Sequence, residues 1–172
     1  MKKIYTLLIL SCFIVIANAQ DKYVDGVPDD LNKSKTIFLR YDSIQGNAAS
    51  KTDRKVKYYQ AKHNKNVPDA NKELAEALKK YPFEYTIASR TDIEELKSRG
   101  YKYLLDCLAF QNMETGSRND NSREYYQYKL YFLDLETNIA YVLTDKFNEN
   151  QLYFPNYYVN KMVMPKVKKK FK

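Results

Sequence analysis

The spacing of hydrophobic residues in the first half of the chain predicts a strand, a helix and a second strand. Residues 36–44 (TIFLRYDSI) alternate between apolar and polar side chains, as a half-buried strand does. Over residues 70–81, apolar side chains recur at the i, i+4, i+7 and i+8 positions of one helix face. Asp69 is the predicted N-cap of this helix, and Pro82 prevents its continuation. Residues 83–88 alternate again as a strand.

A short helix and a third strand are predicted next. Thr91 and Glu94 have the spacing of a capping box, in which each side chain accepts a hydrogen bond from the backbone N–H of the other residue. Gly100 suits the left-handed position that ends a helix. Residues 101–110 are apolar on both faces, which predicts a strand that is covered from both sides.

Two antiparallel strands are predicted after a polar loop at residues 111–123. Alternation over residues 126–132 and over residues 139–147 predicts the two strands of a hairpin. The LETN segment between them is a good turn, because Asn138 tolerates the left-handed backbone conformation better than most residues do.

The predicted element order, β-α-β-α-β-β-β, indicates an α/β (or α+β) fold. We expect a single sandwich of two or three layers, built on a mixed sheet of about five strands with a C-terminal antiparallel hairpin. This domain is assigned to residues 36–160, after an extended N-terminal lead at 20–35. A long, basic, exposed connection is predicted at 45–68, with one short helix around 56–62. A lysine-rich tail follows at 161–172.

The beginning of the chain has the pattern of a secretory signal peptide. Lys2 and Lys3 precede an apolar run over residues 4–17, and a small-x-small cleavage box ends at Ala19. Cleavage there would make Gln20 the N-terminus of the exported chain, in the periplasm or outside the cell. The run is shorter than the ~20 residues that span a bilayer, and no other stretch approaches that length, so we predict no transmembrane span.

The two cysteines bear on anchoring and on reactivity. Cys12 lies in an ILSC segment, where lipid attachment would require a small residue in place of Leu10, so we expect ordinary cleavage rather than a lipid anchor. Cys107 is then the one cysteine of the exported chain. We interpret it as a small, buried apolar residue on a strand, with intermolecular pairing as the alternative.

The net charge of +8 comes from the two ends of the chain. The signal segment has two lysines, and residues 166–172 have five lysines and no acid, so the rest of the chain is close to neutral. A solvated tail is one interpretation, and contact with an anionic envelope surface or an acidic protein, rather than with nucleic acid, is the other. The lysines of this candidate contact are Lys166, Lys168, Lys169, Lys170 and Lys172.

Residues suited to catalysis, metal binding or cofactor binding are scarce. His63 is the only histidine, and no ligand set or nucleophile has a matching spacing around it. The four glycines are scattered and form no phosphate-binding loop. We therefore predict no catalytic residue, no metal and no cofactor, and we interpret His63 as an exposed loop residue.

Asp106 is the acidic residue whose position requires a partner. Alternation places it on a strand face with Leu104 and Leu108, and we expect Arg90 or a tyrosine to pair with it there. The first interpretation is a structural carboxylate. The alternative is a perturbed acid in a cleft, which leaves open a small secreted glycan hydrolase that uses paired carboxylates.

Seventeen tyrosines and no tryptophan distinguish the composition. Tyrosine gives a large contact area with little loss of rotamer freedom and is enriched at interfaces. The alternative is that tyrosine simply fills half-buried strand positions in place of other aromatic residues. The rings that we assign to a candidate interface are Tyr125, Tyr131, Tyr157 and Tyr158.

Residues 73–109 run as a helix, a strand that ends in arginine, a short helix, a glycine and a strand. This pattern resembles bacterial envelope proteins of the curli-secretion lipoprotein and penicillin-binding-protein-activator type, over roughly residues 36–145. The closing hairpin of that family has Asp-x-x-Thr-Gly, where this chain has Asp134 and, in place of the glycine, Asn138. The resemblance implies a non-catalytic domain that binds another envelope protein or self-assembles.

These observations together predict a non-catalytic, exported protein of the bacterial cell envelope that acts as a binding or assembly module. Its expected partner is another envelope protein or an anionic envelope surface, and self-association is a further expectation. A secreted glycan hydrolase is the alternative from a different class.

Overall fold

The structure, a computed structural model, describes residues 22–44, 54–112, 125–148 and 154–172. Six strands form one mixed sheet: β1 (Lys22–Asp25), β2 (Lys35–Leu39), β3 (Tyr85–Ala88), β4 (Tyr101–Asn112), β5 (Tyr125–Asp134) and β6 (Ile139–Asn148). Their order across the sheet is β1-β6-β5-β4-β2-β3. The α/β class and the mixed sheet are confirmed, with six strands in place of about five.

Strand direction divides the sheet into two parts. β2, β3 and β4 are parallel to one another, whereas β4, β5 and β6 form an antiparallel meander. β1 adds to the outer edge of β6 in parallel. The predicted hairpin between β5 and β6 is confirmed, and Asn138 takes the left-handed conformation with φ of 57°.

Helices cover both faces of the sheet and make three layers. They are α1 (Arg54–Leu78), α2 (Ile93–Ser98) and a C-terminal helical segment composed of α3 (Pro155–Tyr157), a π-helical stretch (Tyr158–Val163) and α4 (Met164–Lys170). The main core lies between one face of the sheet and the pair formed by α1 and the C-terminal segment. On the opposite face, α2 covers a small cluster that consists of Ile37, Ala88, Leu96 and Leu104.

The predicted long connection at 45–68 is wrong from Arg54 onward, where α1 begins, although the short helix predicted around 56–62 lies inside α1. The first half of α1 has four lysines together with Arg54, Gln60 and Ala61, and all four residue types favour a helix without any apolar stripe. Among the α1 side chains that the structure describes, Val67 is the first that is buried. Pro68 and Asp69 lie inside the helix, so Asp69 is not its N-cap.

The predicted extended lead at 20–35 contains a strand of the sheet. β1 occupies Lys22–Asp25 and pairs with β6, which covers an edge whose N–H and C=O groups would otherwise lack strand partners. The four residues of β1 are too few to show a hydrophobic pattern. Its Tyr23 and Val24 are also both exposed, so no alternation between buried and exposed positions marks the strand. The prediction of a simple lead is therefore wrong.

The predicted solvated tail at 161–172 is largely helical. Met162, Val163, Met164 and Val167 are buried in the main core. Lys166 lies before Val167, and three further lysines follow it at 168–170. The apolar residues have helical spacing, whereas the high lysine content of the segment is typical of a solvated chain end. The tail is therefore part of the fold as well as a basic surface.

The start of the short helix also differs from the prediction. A 3₁₀ turn over Arg90–Asp92 precedes α2, and the Asp92 carboxylate accepts a hydrogen bond from the Ser89 N–H at 3.0 Å. The cap therefore begins at Ser89 rather than at Thr91, two residues earlier than predicted.

No helix in the described part of the chain is both long enough and apolar enough to cross a membrane. Cys12, Ala19 and Gln20 lie outside the described residues, so the predictions of signal cleavage and of no lipid anchor remain predictions.

Candidate functional site

The candidate site lies where β2 and β3 end together and β4 continues. β2 pairs with β4 as far as Phe38 and Leu105, whereas β4 continues to Asn112. From their carboxyl ends, β2 leads to α1 on one face of the sheet and β3 leads to α2 on the other. Adjacent parallel strands whose connections leave toward opposite faces have a crevice between them, where ligands bind in open α/β sheets.

A pocket of about 400 Å³ lies next to this crevice, lined by the end of β2, the middle of β4 and α1, and we call it the strand-end pocket. Its apolar lining comes from the sheet and from α1, and charged side chains are exposed at its mouth. The apolar lining residues are Phe38, Leu39, Leu74, Leu105 and Leu130. The charged lining residues are Arg40, Asp42, Arg90 and Asp106, and Tyr41, Cys107 and Tyr158 complete the lining.

Asp42 connects the ends of β2 and β3. Its Oδ2 accepts a hydrogen bond from the Ser89 hydroxyl at 2.5 Å, and its Oδ1 accepts one from Arg40 Nε at 2.8 Å. The hydrogen bond from Ser89, followed by those from Arg40 and from the Arg90 N–H, lowers the pKa of Asp42 against the opposing effect of partial burial. Asp42 is therefore ionised at neutral pH.

Asp106 holds the other side of the pocket. Arg90 Nη2 donates to its two carboxylate oxygens at 3.0 and 2.9 Å, and the Cys107 N–H donates to Oδ1 at 2.8 Å, beyond the point where β2 pairs with β4. The Tyr131 hydroxyl also bonds to Asp106, and burial is the main cause that raises the pKa of Tyr131. The prediction that Arg90 or a tyrosine would partner Asp106 is confirmed by both.

Tyr158 closes one wall of the pocket and is not an exposed interface residue as predicted. It is 7% exposed, and its hydroxyl lies 3.0 Å from that of Tyr41. Burial raises the pKa of Tyr158. Asn71 on α1 fixes Tyr41 in place by accepting from its backbone N–H at 2.8 Å and donating to its C=O at 2.9 Å. The correction arises because the C-terminal segment packs on the sheet.

Cys107 is partly buried in the pocket lining. Burial, together with the negative charge of Asp106, raises the pKa of its thiol to about 11. The thiol is therefore protonated at neutral pH, and a protonated thiol is a poor nucleophile.

His63 lies on α1 rather than in a loop, which corrects the prediction. Its Nε2 is 3.0 Å from the Asp42 carbonyl oxygen. The next residue along the helix, Asn64, contacts Ile44 through two hydrogen bonds, of 2.8 and 3.0 Å. These contacts attach the basic half of α1 to the rim of the pocket.

The two arginines at the mouth retain unused hydrogen-bond donors. Arg40 uses Nε for Asp42 and Arg90 uses Nη2 for Asp106. The other guanidinium N–H groups have no hydrogen-bond partner within the described residues. The two side chains are 53% and 65% exposed. The mouth therefore offers charge-assisted donors to an acceptor from solution.

A second charged cluster lies at the start of β4, whereas the pocket contacts the middle of this strand. Lys102 Nζ is 2.7 Å from Asp30 Oδ2 and 3.8 Å from Asp134 Oδ2, and the Tyr103 hydroxyl donates to Asp30. Partial burial acts to raise the pKa of Asp30, but the hydrogen bonds from Lys102 and Tyr103 outweigh it, and the net direction is down. We call these four residues the closed cluster.

Asp134 in the closed cluster also shapes the hairpin turn. Its Oδ1 accepts hydrogen bonds from the N–H groups of Glu136 and Thr137 at 2.9 and 3.1 Å. Asp134 is only 3% exposed. A buried carboxylate with several donors is well stabilised, so this aspartate has a structural role.

The predicted lysine contact lies on and beyond α4. Lys168, Lys169 and Lys172 are exposed, Lys170 pairs with Asp29, and Lys166 is partly buried. Five positive charges thus remain close together, but one of them is committed to an ion pair within the fold.

The predicted interface aromatics that the structure describes differ in exposure. Tyr157 is 41% exposed on the C-terminal segment, whereas Tyr131 is partly buried beside Asp106. Tyr125 pairs with Asn112 at the start of β5, and its side chain lies outside the described residues. Of the four rings, only Tyr157 is described as exposed.

Sequence reasoning missed Arg40, Asp42 and Ser89 as site residues. The available signal was position, because polar residues directly follow the apolar ends of β2 and β3. Within the described ranges, no group of three or more His, Cys, Asp or Glu side chains is placed to hold a metal ion.

Comparisons with known proteins leave the family open. No family model matches the chain, and no curated protein matches it. Among solved structures, the chain is similar to a PelC dodecamer from Paraburkholderia phytofirmans, with 14% identity over 68% of this chain and 70% of that chain, at a TM-score of 0.30. A similarity at this TM-score supports no conclusion about the fold or the function of this chain. The resemblance to the curli-secretion and penicillin-binding-protein-activator type stays a prediction.

Proposed function

We propose that this chain is an exported, non-catalytic binding module of the bacterial cell envelope that holds a ligand in the strand-end pocket. One observation carries the proposal: the ionisable side chains of the pocket are already paired or protonated. Asp42 is kept ionised by Ser89 and Arg40, and the Cys107 thiol keeps its proton. Catalysis of proton transfer needs a group whose pKa lies near the working pH, which neither of these two groups provides.

Titration with a neutral, fluorescent apolar probe, N-phenyl-1-naphthylamine, tests the use of the pocket. We expect saturable binding at one site, and we expect Cys107→Trp to abolish it, because the larger ring fills the pocket. Tyr157→Trp, at an exposed position on the C-terminal segment, is the matched control and should leave binding unchanged. Absence of binding to the natural chain, or equal binding by Cys107→Trp, would contradict the proposal.

A glycan hydrolase is the second candidate, and one observation favours it. Asp42 and Asp106 line the same pocket, and hydrolases use two carboxylates on either side of the scissile bond. Because the pKa of Asp42 is lowered, however, Asp106 would have to donate the proton. Its carboxylate already accepts hydrogen bonds from Arg90 and from the Cys107 N–H. Release of reducing sugar from envelope glycans that Asp42→Asn/Asp106→Asn abolishes would establish the hydrolase and overturn our proposal.

The envelope partner is proposed to be anionic or proteinaceous, through the lysines of α4 and the adjoining chain end. Their exposure supports this proposal, and so does the excess of basic over acidic residues in the first half of α1. Sedimentation with anionic vesicles at low and high salt tests the electrostatic part, since screening weakens such contacts. Replacement of Lys168, Lys169 and Lys172 by Gln should reduce binding at low salt, and unchanged binding would exclude this surface.

Export is tested separately by fractionation of the producing cells. We expect the mature chain in the periplasmic or extracellular fraction, with an N-terminus at Gln20. A chain that keeps residues 1–19 in the cytoplasm would contradict both export and the envelope role.

A further inference from the structure

At the mouth of the strand-end pocket, the unused hydrogen-bond donors outnumber the unused acceptors. Arg40 and Arg90 each present five guanidinium N–H donors, and each pairs with a carboxylate through one nitrogen. Asp42, in contrast, already accepts from Ser89, from Arg40 and from the Arg90 N–H. A ligand that approaches the mouth therefore meets donors, which select an anionic or strongly accepting group.

The carboxylates do not cancel this preference. Asp106 is 12% exposed and already accepts from Arg90, from the Cys107 N–H and from Tyr131. The arginine side chains are more than half exposed, so solvent and ligands reach the cations more readily than this acid. An incoming carboxylate can bind the unused edge of a guanidinium group without breaking the existing pair.

The helix that borders the pocket adds positive charge. From Arg54 to Val67 the α1 sequence has five basic residues and no acidic one, at the end of a helix where the macrodipole disfavours cations. His63 attaches this half of α1 to the pocket rim by its contact with the Asp42 carbonyl. An anionic ligand offsets a charge distribution that is unfavourable for the helix alone.

The interior of the pocket has the opposite character. Leu39, Leu74, Leu105 and Leu130 line it together with Phe38, and its volume of about 400 Å³ suits one small ligand. A ligand that satisfies both regions has an apolar body and one anionic end.

We infer that the strand-end pocket binds a single-chain amphipathic carboxylate, with its apolar chain among the leucines and its carboxylate at the guanidinium groups of Arg40 and Arg90. This inference rests on the proposed function, because it names the ligand class for the same pocket. Medium-chain fatty acids are the simplest molecules of this chemistry.

Displacement of the neutral probe N-phenyl-1-naphthylamine measures this preference. We expect decanoate to displace the probe at roughly tenfold lower concentration than decanol, which has the same chain without the charge. Decyltrimethylammonium, with a cationic end, should be the weakest of the three. Equal or better displacement by decanol would overturn the ligand class while leaving pocket binding intact, whereas failure of the probe itself to bind would overturn the proposed function.

Arginine variants locate the carboxylate. Arg40→Gln and Arg90→Gln should each weaken decanoate by roughly tenfold and leave decanol and the probe unchanged. The matched control is Arg99→Gln, since Arg99 is also exposed, at 63%, and pairs with a carboxylate, that of Glu95, away from the pocket lining. Equal loss for decanoate and decanol, or no loss for either variant, would exclude the two guanidinium groups as the anion site.

Discussion

Two charged clusters lie along β4, one at its start and one at its middle, and they use similar chemistry with different results. In the closed cluster, the Lys102 ammonium lies between Asp30 and Asp134, so its three donors meet two acidic side chains. In the strand-end pocket, Arg40 and Arg90 each meet one carboxylate and keep several donors in reserve. The ratio of hydrogen-bond donors to carboxylates therefore distinguishes a cluster that stabilises the fold from one that can bind a ligand.

Burial reinforces this difference. Asp134 in the closed cluster is 3% exposed and also fixes the hairpin turn, so its removal leaves donors without acceptors inside the protein. The arginines of the pocket are largely solvated, where ion pairs contribute little to stability. Substitutions in the two clusters should therefore affect different measurements.

The largest decrease in the free energy of unfolding is expected for Asp134→Ala. It removes a buried charge beside Lys102 and the acceptor of two turn N–H groups, and it should lower the free energy of unfolding by about 3 kcal/mol. Urea denaturation measures this as a lower midpoint at an unchanged m-value. Asp134→Asn keeps the acceptor oxygen and should cost about half as much. Equal losses for the two variants would show that the turn hydrogen bonds contribute nothing.

A strong reduction in thiol reactivity is expected for Cys107. Its pKa is raised from 9.0 to about 11, which near neutral pH means about 100-fold less thiolate than in the unfolded chain. Alkylation by iodoacetamide should therefore be slower in buffer than in urea. The folded state holds the thiol proton more tightly, so this contribution to stability is present below pH 9.0 and is lost as pH rises through about 11. Equal alkylation rates in buffer and in urea would show that the Cys107 thiol is exposed to solvent in the folded protein.

A pair of tyrosine substitutions compares the clusters directly. Tyr103→Phe removes the donor to Asp30 at a position that is 1% exposed, and it should cost about 1–2 kcal/mol of unfolding free energy. Tyr131→Phe removes a donor to Asp106, which keeps Arg90 and the Cys107 N–H, so it should cost less than about 1 kcal/mol. Thermal or urea denaturation of both variants decides the order. A larger loss of unfolding free energy for Tyr131→Phe would show that the pocket contributes more to stability than the closed cluster does.

The smallest effect on stability is expected for Arg90→Gln. Its ion pair is 65% exposed on the arginine side, so the loss should stay below about 1 kcal/mol in urea denaturation. Lys102→Gln, at 26% exposure and between two acids, should cost more. A drop of several kcal/mol for Arg90→Gln would mean that the pocket arginine is a structural support rather than an available cation.

The sequence predicted those elements whose signals are local. Alternation located β2, β3, β4 and the β5–β6 hairpin, and the turn preference of asparagine predicted the conformation of Asn138. Elements without an apolar pattern of their own were missed. The first half of α1 is polar because it packs little against the core, and β1 is recognisable only from its pairing with β6.

The candidate site was predicted only in part for a similar reason. The pairing of Asp106 with Arg90 follows from strand alternation and the need of a half-buried acid for a cation. The role of Asp42 depends on β2 and β3 being adjacent and parallel, which brings Ser89 next to it from 47 positions along the chain. No local pattern contains that adjacency, so the pocket emerges only from the tertiary structure.

The parallel pairing of β1 with β6 has a consequence for how the chain reaches its native state. Lys22 pairs with Ile139, so a strand near the start waits for a partner near the other end. Such distant pairing slows folding, and an unpaired edge in the meantime invites aggregation. β1 and the outer edge of β6 therefore stay unpaired until residues 22–25 meet residues 139–142, and until then both edges are open to pairing with other chains.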